Sequence, residues 1–211
     1  MNMENGLYLV RHGETVGDSS VRLYGRTDIE LSDLGREQMR RAGAVLRLMT
    51  FQTVIVSPLQ RSRESADILL AGRGPAPRVT QEFREIDFGA WEGLSFAEIA
   101  ERYPENHAAW KTMGVDFAFP GAETKKSFFE RVAAAALRIF PEAQSPALAV
   151  LHKGVIKGIL AGLLGRPVMS LADHPIELGG IHMLRREAGG WTLAQTNETA
   201  HLGDCRLPES K

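Results

Sequence analysis

Leu7-Tyr8-Leu9-Val10-Arg11-His12-Gly13-Glu14-Thr15 is an apolar run that stops at a cation, an imidazole and a glycine. A run this short, bounded by a glycine, reads as a buried parallel strand feeding a loop. Two later stretches repeat the pattern. Thr53–Val56 is β-branched and is cut off by Ser57-Pro58, and Ala147–Leu151 ends at His152-Lys153-Gly154. Helical periodicity fills the intervals. Ser32 and Asp33 offer an N-cap, and Leu34, Ala42, Val45, Leu46 and Met49 then recur at helical spacing, which predicts a helix to about residue 49. Helices are also predicted over 59–70, 95–103, 126–140 and 155–164, a loop over the Gly/Pro-rich 71–77, and a structured loop over 86–93. Residues 104–125 show no clean period. Residues 181–185 and 191–196 flank Glu187-Ala188-Gly189-Gly190, a hairpin signal.

Strands alternating with helices predict an α/β fold, a three-layer sandwich with a mostly parallel central sheet flanked by helices. No linker divides the chain, so residues 1–211 are expected to form a single domain with a helical cover segment at about 93–140.

Composition removes several classes of function. Lys plus Arg is 25 and Asp plus Glu 26, so the formal net charge is 25 − 26 = −1. That balance lacks the basic surface that broad nucleic-acid binding requires. No apolar stretch approaches the roughly 20 residues of a membrane span. The start, MNMENGLYLV, lacks a secretory apolar core. Cys205 is the lone cysteine, which rules out an intrachain disulfide. The expectation is a cytoplasmic protein with no nucleic-acid partner and no membrane partner; its oligomeric state is unreadable.

In open α/β sheets ligands sit beyond the carboxyl ends of the strands. Three strands here end in charge: at Arg11-His12, at Arg61 shortly after Ser57-Pro58, and at His152-Lys153. Two guanidiniums can cradle a tetrahedral dianion. His152 precedes a helix whose first N–H groups suit anionic oxygens. An imidazole among them, His12, is a candidate nucleophile toward phosphorus. The leaving oxygen needs a proton, and Glu85, in Phe83-Arg84-Glu85-Ile86-Asp87-Phe88-Gly89-Ala90-Trp91-Glu92-Gly93, is nominated as its donor.

These residues resemble the histidine phosphatase superfamily, also called phosphoglycerate-mutase-like. Leu9-Val10-Arg11-His12-Gly13-Glu14-Thr15 is similar to the signature whose histidine becomes phosphorylated. The stretch from Gly25 to Gly35 resembles the family's loop-then-helix element. Ser57-Pro58-Leu59-Gln60-Arg61 resembles the element carrying the second phosphate arginine, residues 85–93 the one carrying the acid, and His152 falls where the family keeps its second histidine. The matches run in family order from residue 7 to about 165.

The resemblance implies a phosphoglycerate-mutase-like fold and a two-step, metal-independent hydrolysis of a small phosphorylated metabolite, with no cofactor. His12 attacks, Glu85 protonates the leaving alcohol, Arg11, Arg61 and His152 hold the phosphoryl oxygens, and water then releases phosphate. Asp18, Tyr24, Gly25 and Lys153 are the substrate-binding candidates. Asp18 stands where the family often has Asn, with Arg22 as a possible partner. Lys153 stands where a small residue is usual, and Ser65 where Thr is common. A cofactor-dependent phosphoglycerate mutase is the alternative enzyme. The interval 152 − 85 = 67 residues is shorter than the insertion the resemblance implies for true mutases, which favours hydrolysis. A non-catalytic phospho-ligand binding module is the second alternative.

Blander roles are expected elsewhere. Glu14 holds its loop by hydrogen bonds, and Arg63 and Arg84 are surface groups. His107, His174, His182 and His201 lack ligand spacing and are assigned to surface or packing. For Trp91, Trp110 and Phe117, lining a pocket and packing a core remain equally open.

Overall fold

The computed structural model describes residues 6–207. The part of the amino-terminal reading that falls on residues 1–5, and the last four residues of the expected domain span, lie outside the described residues.

Six strands form one sheet: β1 (Gly6–Arg11), β2 (Thr53–Val56), β3 (Arg78–Val79), β4 (Ala147–Leu151), β5 (Ile181–Glu187) and β6 (Gly190–Glu198), in the order β3-β2-β4-β1-β5-β6. β3, β2, β4 and β1 are parallel neighbours, and β5 and β6 close one edge as an antiparallel hairpin. The helices are α1 (Asp33–Val45), α2 (Gln60–Leu70), α3 (Phe96–Arg102), α4 (Pro104–Thr112), α5 (Lys125–Ile139) and α6 (Lys153–Leu164).

The strands alternate faces along their length. Leu7, Leu9, Ala147, Ala149 and Leu151 enter one core with α5 and α6, whereas Tyr8, Val10, Leu148 and Val150 enter a second core with α1 and α2. Each buried Leu, Ile or Val side chain contributes about 1.5–3 kcal/mol by leaving water. These two cores are the outer joints of the three-layer sandwich. Among the described residues no helix is long and apolar enough to cross a membrane.

Several boundaries differ from expectation. α1 ends at Val45 rather than near Met49; Ser32 is its N-cap and accepts from the Gly35 N–H. α6 starts at Lys153, two residues before the expected 155, which makes His152 its N-cap. α4 occupies part of the stretch without a period. It buries no residue, so no apolar stripe marks it, and Pro104 in its first turn starts it. β3 is two residues long and exposed. A 3₁₀ segment at Ala200–Cys205 ends the described fold.

Candidate active site

β4 lies between β1 and β2, so the three strand ends open side by side. The His12 N–H donates to the Leu151 carbonyl at 2.9 Å, which fixes the β1 loop beside His152. The imidazole rings of His12 and His152 face each other edge-on, 5.0 Å between centroids. Residues 140 positions apart in the chain thus share one chamber only because their strands pair.

Both rings are buried, and their hydrogen bonds define their tautomers. His12 Nδ1 is 2.7 Å from the Gly13 carbonyl oxygen. A carbonyl only accepts, so Nδ1 carries the hydrogen and Nε2 keeps its lone pair. Burial, then the Arg61 and Arg11 charges, hold His12 well below the ordinary histidine value, against the opposing Gly13 bond. Its ring is neutral at neutral pH. His152 Nδ1 accepts from Arg61 Nε at 3.3 Å, so Nε2–H donates to Ser57 Oγ at 2.6 Å. Burial, Arg61, His12 and Arg11 hold His152 low as well.

Ser57 was not singled out by sequence. Its hydroxyl also accepts from the Leu59 N–H at 3.2 Å, and its own N–H is held by Ser62 Oγ at 2.9 Å. The turn from β2 into α2 is therefore braced where Arg61 leaves it.

Arg61 is completely buried, and burial lowers its guanidinium to about 10, still charged at neutral pH. It donates to the carbonyls of Thr27 (2.8 Å), Tyr24 (3.0 Å) and Gly25 (2.7 Å) as well as to His152. A guanidinium has five N–H donors. Most of those of Arg61 hold the 24–27 loop, so it offers a ligand its positive charge more than an open fork. Glu92, a second residue that sequence reading passed over, grips the same loop. Its carboxylate accepts from the N–H groups of Gly25, Arg26, Thr27 and Phe88 and from Thr27 Oγ1. Arg11, nearly buried, donates from Nη1 to the Ile176 carbonyl at 2.7 Å.

Glu85 reaches the same chamber from a loop. Oε1 accepts from the Ile86 N–H and Oε2 from the Gly154 N–H, both at 2.9 Å. Gly154 is in the first turn of α6, and a Cβ there would lie 2.5 Å from Glu85 Oε1, so only glycine admits this approach. Burial raises the carboxyl above its ordinary value, although both N–H bonds and the charges of Arg61 and Arg11 pull the other way. The desolvation effect prevails, and the group is biased toward its acid form.

Arg11, His12, Arg61, Glu85 and His152 are thus brought together. The substrate-binding candidates divide. Gly25 and Tyr24 supply carbonyls to Arg61. Lys153 is half-buried beside His152. Asp18 is exposed, at φ +59°. That left-handed backbone favours Asn and Asp, so the residue type answers a conformational demand. The suggested Asp18–Arg22 pair is not formed: Arg22 Nη1 is 2.7 Å from Glu98 Oε2 and 2.7 Å from the Gly93 carbonyl, because Glu98 is fixed nearby in the Ser95 capping box of α3. Glu14 holds its loop as expected, accepting from the N–H groups of Thr15 and Ser20 and from Ser19 Oγ. Ser65 Oγ accepts from the Gly13 N–H at 3.3 Å. Arg63 and Arg84 are exposed. Trp91 and Phe117 belong to the core, while Trp110 is half-buried against Phe96. Among the described residues no group of three or more His, Cys, Asp or Glu is placed to hold a metal ion.

The family model of the histidine phosphatase superfamily (branch 1) matches residues 7–199. An adenosylcobalamin/alpha-ribazole phosphatase of Salmonella typhimurium is 31% identical over 175 residues, covering 82% of this chain and 86% of its own. The crystal structure of the alpha-ribazole phosphatase from Shigella flexneri superposes with a TM-score of 0.84 at 26% identity, covering 92% of this chain and 96% of that one. A phosphoserine phosphatase from Entamoeba histolytica, solved with 3-phosphoglyceric acid, superposes with a TM-score of 0.81 at 25% identity, covering 93% and 98%.

Proposed function

The chain belongs to the histidine phosphatase superfamily (branch 1), and from that membership we propose that it is a phosphomonoesterase acting through a phosphohistidine at His12 on a small phosphorylated metabolite. The observation that carries this reading is the tautomer of His12. Its Nδ1–H is committed to Gly13, so a neutral ring presents the Nε2 lone pair inside a chamber of positive charge.

In the proposed sequence, Nε2 attacks phosphorus and the ester P–O bond breaks. The departing alkoxide takes the proton of Glu85, which burial keeps available. Nδ1–H remains on Gly13, and the charges of Arg11 and Arg61 balance the phosphoryl oxygens. Water then attacks phosphorus, the Glu85 carboxylate takes its proton, and the N–P bond breaks to restore neutral His12. For His152 to donate to a phosphoryl oxygen, it must exchange its bond with Arg61 or with Ser57. The cover at about 93–140, with Arg22 tied to Glu98 at the start of α3, is the segment we assign to substrate selection. We assign its substrates to phosphorylated small molecules, a reading supported by the phosphatases it resembles.

Incubating the protein with labelled phosphoesters and quenching rapidly tests the reading. The expected adduct is acid-labile and base-stable and is lost in His12→Ala. Absence of both adduct and phosphate release across a broad phosphoester panel refutes it in favour of a binding module. With 3-phosphoglycerate and a bisphosphoglycerate primer, 2-phosphoglycerate greatly exceeding free phosphate refutes it in favour of a mutase.

A further inference from the structure

The peptide units of the 24–27 loop are held from two sides by opposite charges. On one side lies Glu92. Its Oε1 accepts from the N–H groups of Gly25 (3.2 Å), Arg26 (3.0 Å) and Phe88 (3.0 Å), and its Oε2 from the Thr27 N–H (3.2 Å) and Thr27 Oγ1 (2.5 Å). On the other side lies Arg61, whose Nη2 donates to the carbonyls of Tyr24 and Gly25 and whose Nη1 donates to that of Thr27. The Tyr24 carbonyl and the Gly25 N–H belong to one peptide unit, and the Gly25 carbonyl and the Arg26 N–H to the next. In a trans peptide these groups point in opposite directions. Two successive peptide planes therefore stand between a carboxylate and a guanidinium, each with its N–H on the anion and its carbonyl on the cation. Residue 25 must be glycine for this, since a Cβ would lie 1.8 Å from the Ile86 carbonyl oxygen and 2.7 Å from Glu92 Oε1. Glu92 is itself anchored on both sides: the Gly93 N–H donates to the Leu23 carbonyl at 2.7 Å, and the Leu23 N–H to the Leu94 carbonyl at 3.0 Å.

The pose of Arg61 depends on those planes. Aligned by both charges, the two peptide dipoles hold the guanidinium at three carbonyls, and its Nε–H then meets His152 Nδ1 at 3.3 Å. That donor keeps the hydrogen of His152 on Nε2. The Ser57 hydroxyl on the other side of the ring, 2.6 Å from Nε2, can accept or donate and so fixes no tautomer by itself. Resting on the reading that Arg61 and His152 receive the phosphoryl group, we propose that Glu92 is a positioning residue: acting through the 24–25 and 25–26 peptide planes, it fixes the guanidinium of Arg61 and, through it, the tautomer of His152.

The test compares full-length Glu92→Gln, Arg61→Lys and the Glu92→Gln/Arg61→Lys double variant with wild type. Glutamine leaves one acceptor oxygen and turns an NH2 toward the other N–H groups, so the loop loses its anion at nearly unchanged side-chain size. Orthophosphate binding, measured by calorimetry, is expected to weaken about tenfold in Glu92→Gln, and KM for p-nitrophenyl phosphate to rise with it while kcat changes less than about threefold. In Arg61→Lys the fork is gone, so adding Glu92→Gln should weaken phosphate binding by less than about twofold. Nitrogen-15 spectra of labelled histidines give a readout that a merely structural role would not move. Wild type is expected to show the His152 hydrogen on Nε2, and Glu92→Gln to show both tautomers. An unchanged tautomer, an unchanged phosphate affinity, or an equal loss in both backgrounds overturns the proposal. Should the variants not fold, amide exchange in wild type decides: Gly25, Arg26 and Thr27 are expected to exchange at least about 100-fold more slowly than an open loop, and open-loop rates overturn the clamp. If the wild-type protein binds no orthophosphate, the phosphatase reading fails, while the His152 tautomer in Glu92→Gln still decides the link from Glu92 to Arg61.

Discussion

Gly154→Ala tests the acid assignment with little disturbance of the fold. In the first turn of α6 the glycine has ordinary helical backbone, so alanine fits the helix and gains up to about 1 kcal/mol of propensity. The new methyl group would sit 3.0 Å from the Phe128 ring, a tightness that a small ring shift relieves, and 2.5 Å from Glu85 Oε1. An ordinary carbon–oxygen contact needs about 3.3 Å, so the carboxyl must retreat by roughly 0.8 Å. Oε1 meets the methyl while Oε2 holds the 2.9 Å bond to the Gly154 N–H, so the carboxyl must turn out of its present pose. Stability is then expected to change by less than about 1 kcal/mol, while a displacement approaching 1 Å of a proton donor costs up to about 100-fold. The assay compares kcat/KM for an alkyl phosphate, whose alkoxide needs the proton, with that for p-nitrophenyl phosphate, whose leaving group scarcely does. We expect a loss of about 10- to 100-fold on the first and less than about threefold on the second. Equal losses on both substrates, or no loss on either with the protein folded, would refute the role given to Glu85.

Two further outcomes follow from the titrating groups. Burial raises Glu85, and in the proposed mechanism its acid form serves the first step, so kcat on alkyl phosphates should fall as pH rises through that raised value. Glu85→Gln should lose this alkaline limb and suffer most with poor leaving groups; a limb that persists in the variant removes the assignment. His182 is fully buried and burial holds it at about 3, against 6.5 for the exposed ring. The unfolded chain therefore takes up the proton first, and stability is lost as pH falls below about 6.5, by about 1.4 kcal/mol per unit. His182→Asn keeps an acceptor for the Asn197 N–H and does not titrate. Its stability relative to wild type in urea should improve by about 2 kcal/mol between pH 7 and pH 5. A difference independent of pH would contradict this account.

Sequence alone determined the alternation of strands and helices, and it marked the strand ends whose charged residues the structure gathers into one chamber. Both are local properties: apolar runs such as Leu7–Val10 and Ala147–Leu151 bury on two faces, and a charged residue at their ends must leave the sheet. His12, Arg61 and His152 were legible for that reason, and Glu85 because glycines and an aromatic surround it in a loop. The helix α4 was not legible, since it buries no residue and so carries no stripe. Tertiary structure alone decided which carboxylate meets which cation. Asp18 and Arg22 are neighbours in sequence, yet Arg22 pairs with Glu98, and Arg206 pairs with Glu177. It also decided that Glu92 and Ser57 brace the chamber and that Glu85 rests on the α6 N-terminus. Hydrogen bonds and ion pairs act over about 3 Å, and no periodicity along the chain encodes which distant groups come within that range. Their partners exist only once the sheet has brought its strand ends side by side.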